Sequence, residues 1–263
     1  MARTKRWTSR GVVDGVWTLD FSSWKYFPDY VRQEMLDYNQ YVWRGDRRDD
    51  RPLLPSFDRR HARLSRGSIE ARLHRHLHTF QLAVRGRRGP SPSSLEGDND
   101  WWALGQHYGL DTPLLDWTRS PFVALFFAFE KVKSPQSPCR AVYAIATSSC
   151  EAISSAVEEH HDGFDRPDVV EFITPYQDEN ARLVNQNGLF SRCTAGKPLE
   201  AWVAEHRAGE TQKGVLLRLR IPDTDREECL RALNRMNINH LTLFPDLYGS
   251  SLFSNFSDSI RRY

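Results

Sequence analysis

LLDWTRSPFVALFFAFEKV, residues 114–132, decides how the chain is read. Ser120 is a natural N-cap and Pro121 a natural first helical residue. The run they open is apolar on nearly every face, so it predicts a helix at the centre of the core. Before it, LLDWTRSP reads as a polar loop. Asp116, Thr118 and Ser120 are placed to brace the helix start, with Arg119 a candidate partner for Asp116. The same loop has a second reading, because a helix N-terminus favours an anion.

Working outward, YVWRGDRRDDR (41–51) ends a short apolar strand on an arginine and a glycine. A lone arginine is rarely buried without a partner. Arg44 therefore pairs with a carboxylate of its own chain, Asp116 above all, or receives an anionic ligand. Gly45, lacking a Cβ, is expected to let a phosphate approach Arg44. AVYAIAT (141–147), VVEFITP (169–175) and GVLLRLRIP (214–222) read as further strands. Helical spacing is expected in the residues after Ser22, at Ile69–Val84, and in WWALGQHYG, ENARLVNQ, PLEAWVAEHR and DREECLRALNRM. The mixed order predicts one α+β domain over 24–263, after a polar lead-in at 1–23 and with a loop insertion at 86–100.

Composition narrows the function classes. The 263 residues are 40% hydrophobic and 27% charged, with eight Trp, nine Tyr and fourteen Phe, which suits a packed soluble domain. Cys139, Cys150, Cys193 and Cys229 form no C-x-x-C pair, which argues against a disulfide framework or a cysteine zinc site. Residues 1–20 lack the apolar region of a secretion signal, and PFVALFFAF is too short to span a bilayer. A cytoplasmic protein with no membrane partner is expected. Net charge is only +2, yet residues 58–88 hold nine Arg and four His against Asp58 and Glu70. That segment is either a solvated helix face or a phosphate-binding surface, with Arg59, Arg60, Arg63, Arg72 and Arg75 as candidate nucleic-acid contacts.

Other chemistry is sparse. GQHYG (105–109) offers Gln106 and His107 as hydrogen-bonding groups and Tyr108 as a stacking face. In LTLFPDLYGS (241–250), Asp246 is either the N-cap of a last helix or a carboxylate delivered at a strand end. Phosphate-loop, H-E-x-x-H and G-x-S-x-G patterns are lacking, and no metal is expected.

Taken in order, WRG (43–45), PSFDR (55–59), ALGQHYGLDTPLLDWTRSPFVALFFA (103–128), ARLVNQNGLF (181–190) and LFPDLYG (243–249) resemble the FRG domain family. The family is named for an aromatic-Arg-Gly motif, here with Trp43 in place of phenylalanine. By analogy it is a divergent relative of the ADP-ribosyltransferases, which implies an ADP-ribosyltransferase-like α+β core with added helices and NAD as a substrate. The resemblance makes Arg44 the anchor of the NAD diphosphate. Gly45, Gln106, His107, Tyr108, Asp116, Thr118, Arg119 and Ser120 are then further cofactor-binding candidates, Thr118 and Ser120 bracing the nicotinamide. Asp246 is the candidate acid that orients the ribose. A guanidinium grips a diphosphate through two parallel hydrogen bonds, which lysine does not imitate. A carboxylate stabilises the positive charge that develops as the nicotinamide–ribose bond breaks, an effect of about 3 to 4 kcal/mol. One position departs from the family pattern: Thr112-Pro113 stands where Thr-Arg is usual, so a phosphate-binding arginine is missing there.

The leading expectation is an NAD-dependent ADP-ribosyltransferase acting on a macromolecule, with DNA or RNA a candidate acceptor. The resemblance also suggests a bacterial toxin or phage-defence effector and a candidate inhibitor or antitoxin protein. Two alternatives stand beside it: a non-catalytic nucleic-acid or nucleotide-binding module, and an NAD hydrolase.

Overall fold

In VVDGVW (12–17), Asp14 and Gly15 both take positive φ, 48° and 74°, and turn the chain into a two-residue hairpin. Its arms are β1 (Trp7–Val13) and β2 (Val16–Phe21), paired antiparallel. The expected polar lead-in is thus corrected: residues 7–21 belong to the sheet. They read as polar because β1 is an edge strand whose side chains are mostly exposed. The computed structural model describes residues 6–132, 137–163, 165–175 and 181–263.

Six further strands complete the sheet: β3 (Tyr41–Asp46), β4 (Leu114–Thr118), β5 (Cys139–Ala146), β6 (Glu171–Ile173), β7 (Gly188–Arg192) and β8 (Leu216–Pro222). Their order is β1-β2-β8-β5-β3-β4-β7-β6, with β2 and β8 parallel and the other pairs antiparallel. β4 corrects a second expectation, since LLDWT is a strand and not a loop. In that strand Leu115 and Trp117 are buried, and Asp116 is exposed.

After short helical turns at Trp24–Tyr26, α1 (Phe27–Tyr30) and Val31–Met35, the helices lie between or after the strands. They are α2 (Ser56–Arg60), α3 (Arg66–Ala83), α4 (Asp98–His107), α5 (Pro121–Glu130), α6 (Thr147–Glu159) and α7 (Ala181–Asn185). Next come α8 (Leu199–His206), α9 (Arg226–Arg235), α10 (His240–Leu243) and α11 (Leu247–Ser259). The molecule is a single mixed α+β domain. No helix among the described residues is long and apolar enough to cross a membrane.

α5 is the central helix its sequence predicts. The Ser120 side chain accepts from the Val123 N–H, Pro121 opens the first turn, and Ala124, Phe126, Ala128 and Phe129 are fully buried. One face of the sheet carries α5 and α9 over Trp43, Val142, Leu217 and Leu219. The opposite face carries α8 over Val42, Tyr143, Ile145 and Leu216. A third cluster packs α3 and α4 through Leu73, Leu77 and Trp102 against Leu114 and Phe190 at the far end of the sheet.

α5 sits very close to β3. A Cβ added at Gly45 would lie 2.0 Å from the Ala124 carbonyl oxygen and 2.5 Å from the Ala128 nitrogen. Gly45 is therefore required by helix–strand packing, which corrects the expectation that its missing Cβ serves a phosphate. The far end of α5 is held by two arginines. Buried Arg140 donates to the carbonyls of Ala128 and Lys131 and pairs with Asp223. Arg226 donates to the carbonyls of Phe129, at 2.8 Å, and of Glu130. Cations at a helix C-terminus satisfy its orphan carbonyls and complement its dipole. Together they fix where Glu130 stands.

Candidate functional site

β3 and β4 meet at one register pair, Trp43 with Thr118. Beyond it they part, while β3 stays paired to β5 through Asp46 and β4 to β7 through Leu114. A cavity of about 430 Å³ opens in the split. Arg44, Gly45 and Asp46 line it from β3, Asp116 and Trp117 from β4, and Phe127 and Glu130 from α5. A smaller cavity of about 170 Å³ shares Asp116, Gln186 and Phe244 with it and adds Gln106, His107 and Arg182.

Arg44 is fixed at the mouth of the split. Its Nη1 donates to the Asp116 carbonyl at 2.8 Å and lies 3.5 Å from the Asp116 carboxylate. Fully buried Thr112 donates to Gln106 Oε1, and Gln106 Nε2 donates to Asp116 Oδ1 at 2.6 Å. A chain of hydrogen bonds from Thr112 through Gln106 and Asp116 thus aims the guanidinium. The internal ion pair expected for Arg44 is present, yet it does not use the whole side chain. Arg44 Nε is sealed from solvent and has no hydrogen-bond partner. A buried donor left unpaired costs about 1 to 3 kcal/mol.

The surroundings are cationic. Arg47, Arg51 and Lys131 line the same cavity and form no ion pair among the described residues. Burial first, then the nearness of Arg44 and Arg51, lowers the pKa of Arg59 just outside. Three carboxylates oppose them: Asp46, which accepts from the Arg48 N–H, Asp116, and Glu130. Glu130 Oε1 lies 3.2 Å from Nε2 of fully buried His240, whose ring contacts Phe126 and Phe256 edge-on. Phe127 and Phe244, ring centroids 6.1 Å apart, add two aromatic faces.

Of the residues expected from sequence, Arg44, Gly45, Asp116 and Thr118 line the larger cavity. Gln106 and His107 line the smaller one, with Asp116. Thr118 Oγ1 donates to the Gln186 carbonyl and accepts from the Ser120 N–H, so its hydroxyl braces the α5 entrance. Ser120, Arg119 and Tyr108 line neither cavity: Ser120 caps α5, Arg119 reaches Thr174, and Tyr108 is 72% exposed. Asp246 also lines neither. LTL (241–243) is helical rather than a strand, and Asp246 is the N-cap of α11, accepting from the Gly249 N–H at 2.9 Å and from Arg182. Those two donors, the amide first, hold its carboxyl below the usual range.

Sequence reading missed Arg47, Arg51, Glu130, Lys131, Gln186 and Phe244. The charge run after Gly45 signalled the first two, and an acid closing an otherwise apolar helix signalled Glu130. Among the candidate nucleic-acid contacts, Arg60 pairs with Asp111 at 2.7 Å, and Arg59 donates to the Leu54 carbonyl. Arg63, Arg72 and Arg75 are exposed and form no ion pair among the described residues.

The α+β sheet thus parts beside half-buried Arg44, with cations on one wall of the split and a braced carboxylate on the other. Residues 39–137, somewhat over a third of the chain, match the family model of the FRG domain. Arg44, Gln106, Asp116 and Glu130 fall inside that match, whereas Gln186, His240 and Phe244 lie beyond it. No curated protein and no solved structure matches the chain.

Proposed function

We propose that the protein is an NAD-dependent ADP-ribosyltransferase acting on a macromolecular acceptor. The observation that carries this reading is the split between β3 and β4, where Arg44, aimed by Asp116, lines one cavity with Arg47, Arg51 and Lys131. It fits a diphosphate: Arg44 supplies a fork of donors already aimed by Asp116, and Arg47 and Arg51 supply charge beside it. Phe127 and Phe244 supply flat apolar faces for aromatic rings. When bound, NAD supplies an activated glycosidic bond whose cleavage builds positive charge on the ribose. Glu130 is the carboxylate in the cavity that accounts for stabilising that charge, with His240 as its positioning residue. Glu130 thus takes the part that sequence reading offered to Asp246. The exposed Arg63, Arg72 and Arg75 make nucleic acid the favoured acceptor.

The test is incubation with NAD labelled in its adenylate part, together with mixed DNA, RNA and protein. Label transferred to a macromolecule is the expected result, and Arg44→Lys is expected to weaken NAD binding about tenfold to a hundredfold. Free nicotinamide without transfer would instead make the protein a hydrolase. Neither product, with salt-sensitive nucleic-acid binding, would make it a binding module. Asp246→Ala separates a cap from a catalyst. It should cost about 1 kcal/mol in thermal unfolding and leave labelling nearly unchanged.

A further inference from the structure

A different cavity, of about 830 Å³, lies away from the first. It lies on the α8 face of the sheet, where Thr18, Arg218 and Tyr143 line it from β2, β8 and β5. These three residues form one cross-strand row, Thr18 beside Arg218 and Arg218 beside Tyr143, which continues to Arg44 on β3. Residues directly opposite across strands share a face. Two arginines therefore stand on one face of the sheet with Tyr143 between them, each lining its own cavity.

Nearly every charged group around the second cavity already has a partner. Arg10 pairs with Asp20, and Arg220 pairs with Asp20 and Asp49. Asp50 pairs with Arg48, Asp14 accepts from the Gly209 N–H, and Glu200 accepts from the Leu53 N–H. Arg218 differs. It forms no ion pair among the described residues, and its Nε is sealed from solvent without a hydrogen-bond partner, as in Arg44. Tyr143 is 3% exposed, and burial raises its pKa, so its hydroxyl remains a donor at neutral pH. Beside these groups the wall is apolar and made partly of small side chains: Val16, Leu216, Ala201 and Ala204.

We infer that this cavity is a second ligand site, independent of the first, for a small organic molecule with an oxyanion head and an apolar body. Arg218 holds the head, with the Tyr143 and Thr18 hydroxyls beside it. The body lies against α8. Phosphate and carboxylate heads share this chemistry, and the probes distinguish them.

The experiment follows the Arg218 Nε–H resonance of ¹⁵N-labelled protein during titration with phenyl phosphate, benzoate and inorganic phosphate, with no NAD present. Saturable shifts of the Arg218 signal with phenyl phosphate or benzoate are expected, the tighter probe naming the head group, and inorganic phosphate should bind at least tenfold more weakly. Ala204→Leu fills the apolar wall without touching the charge and is expected to weaken the organic probe tenfold or more. Arg44→Lys should leave these titrations unchanged, so this site stands or falls separately from the proposed transferase. The inference is overturned if neither organic probe shifts Arg218, if inorganic phosphate binds as tightly as phenyl phosphate, or if Arg218→Met, titrated with the tighter organic probe by calorimetry, binds it as the parent does.

Discussion

Gly45→Ala is expected to leave the protein largely unfolded or severely destabilised. The added methyl would stand 2.0 Å from the Ala124 carbonyl oxygen and 2.5 Å from the Ala128 nitrogen, both in the backbone of α5. Helix backbone has no rotamer with which to yield, and α5 is pinned at one end by the Ser120 cap and at the other by Arg140 and Arg226. Ordinary overpacking costs about 1 to 3 kcal/mol, and this contact belongs at or above the top of that range. Against a typical total of about 5 to 15 kcal/mol, the loss is large enough to show in any denaturation curve. Urea unfolding followed by circular dichroism measures it. Gly67→Ala is the control, since a Cβ there meets nothing within 4 Å, and it should be neutral or mildly stabilising. A Gly45→Ala protein that folds normally yet loses NAD binding would restore the idea that this glycine exists for the ligand.

Glu130→Gln is expected to cut label transfer by about 10² to 10³-fold while changing NAD affinity little. The amide keeps the shape of the side chain, and its oxygen still accepts from His240 Nε2. What disappears is the negative charge opposite the arginines. Single-turnover labelling at saturating NAD reads that loss, and a thermal melt checks that the fold is intact. Transfer that proceeds at the parent rate would remove Glu130 from the mechanism and leave Asp46 and Asp116 as the carboxylates in the cavity.

Local chemistry made some parts of this protein legible from sequence. Ser120 and Pro121 announced α5, and an arginine ending a short apolar strand announced a polar site. The hairpin at Asp14-Gly15 was equally legible by its turn residues, but its edge-strand polarity disguised it. LLDWT and GLFSR are short strands in which only pairing with each other distinguishes strand from loop. Asp246 could be read two ways, because an N-cap and a strand-end carboxylate look alike until the backbone on either side is known.

The sequence by itself determined the α+β class, the buried central helix with its cap, and the arginine on the strand that became β3. These follow from side-chain periodicity and capping, which act over one or two helical turns. Only the tertiary structure decided that β3 and β4 part after Trp43 and Thr118, and that Glu130, Gln186 and Phe244 close around Arg44. It also reassigned Gly45 from ligand approach to helix packing, and set Arg218 in the same row as Arg44. Strand register and helix–sheet distance are set by contacts between residues far apart in the chain. Their reason lies in packing, which no local pattern encodes.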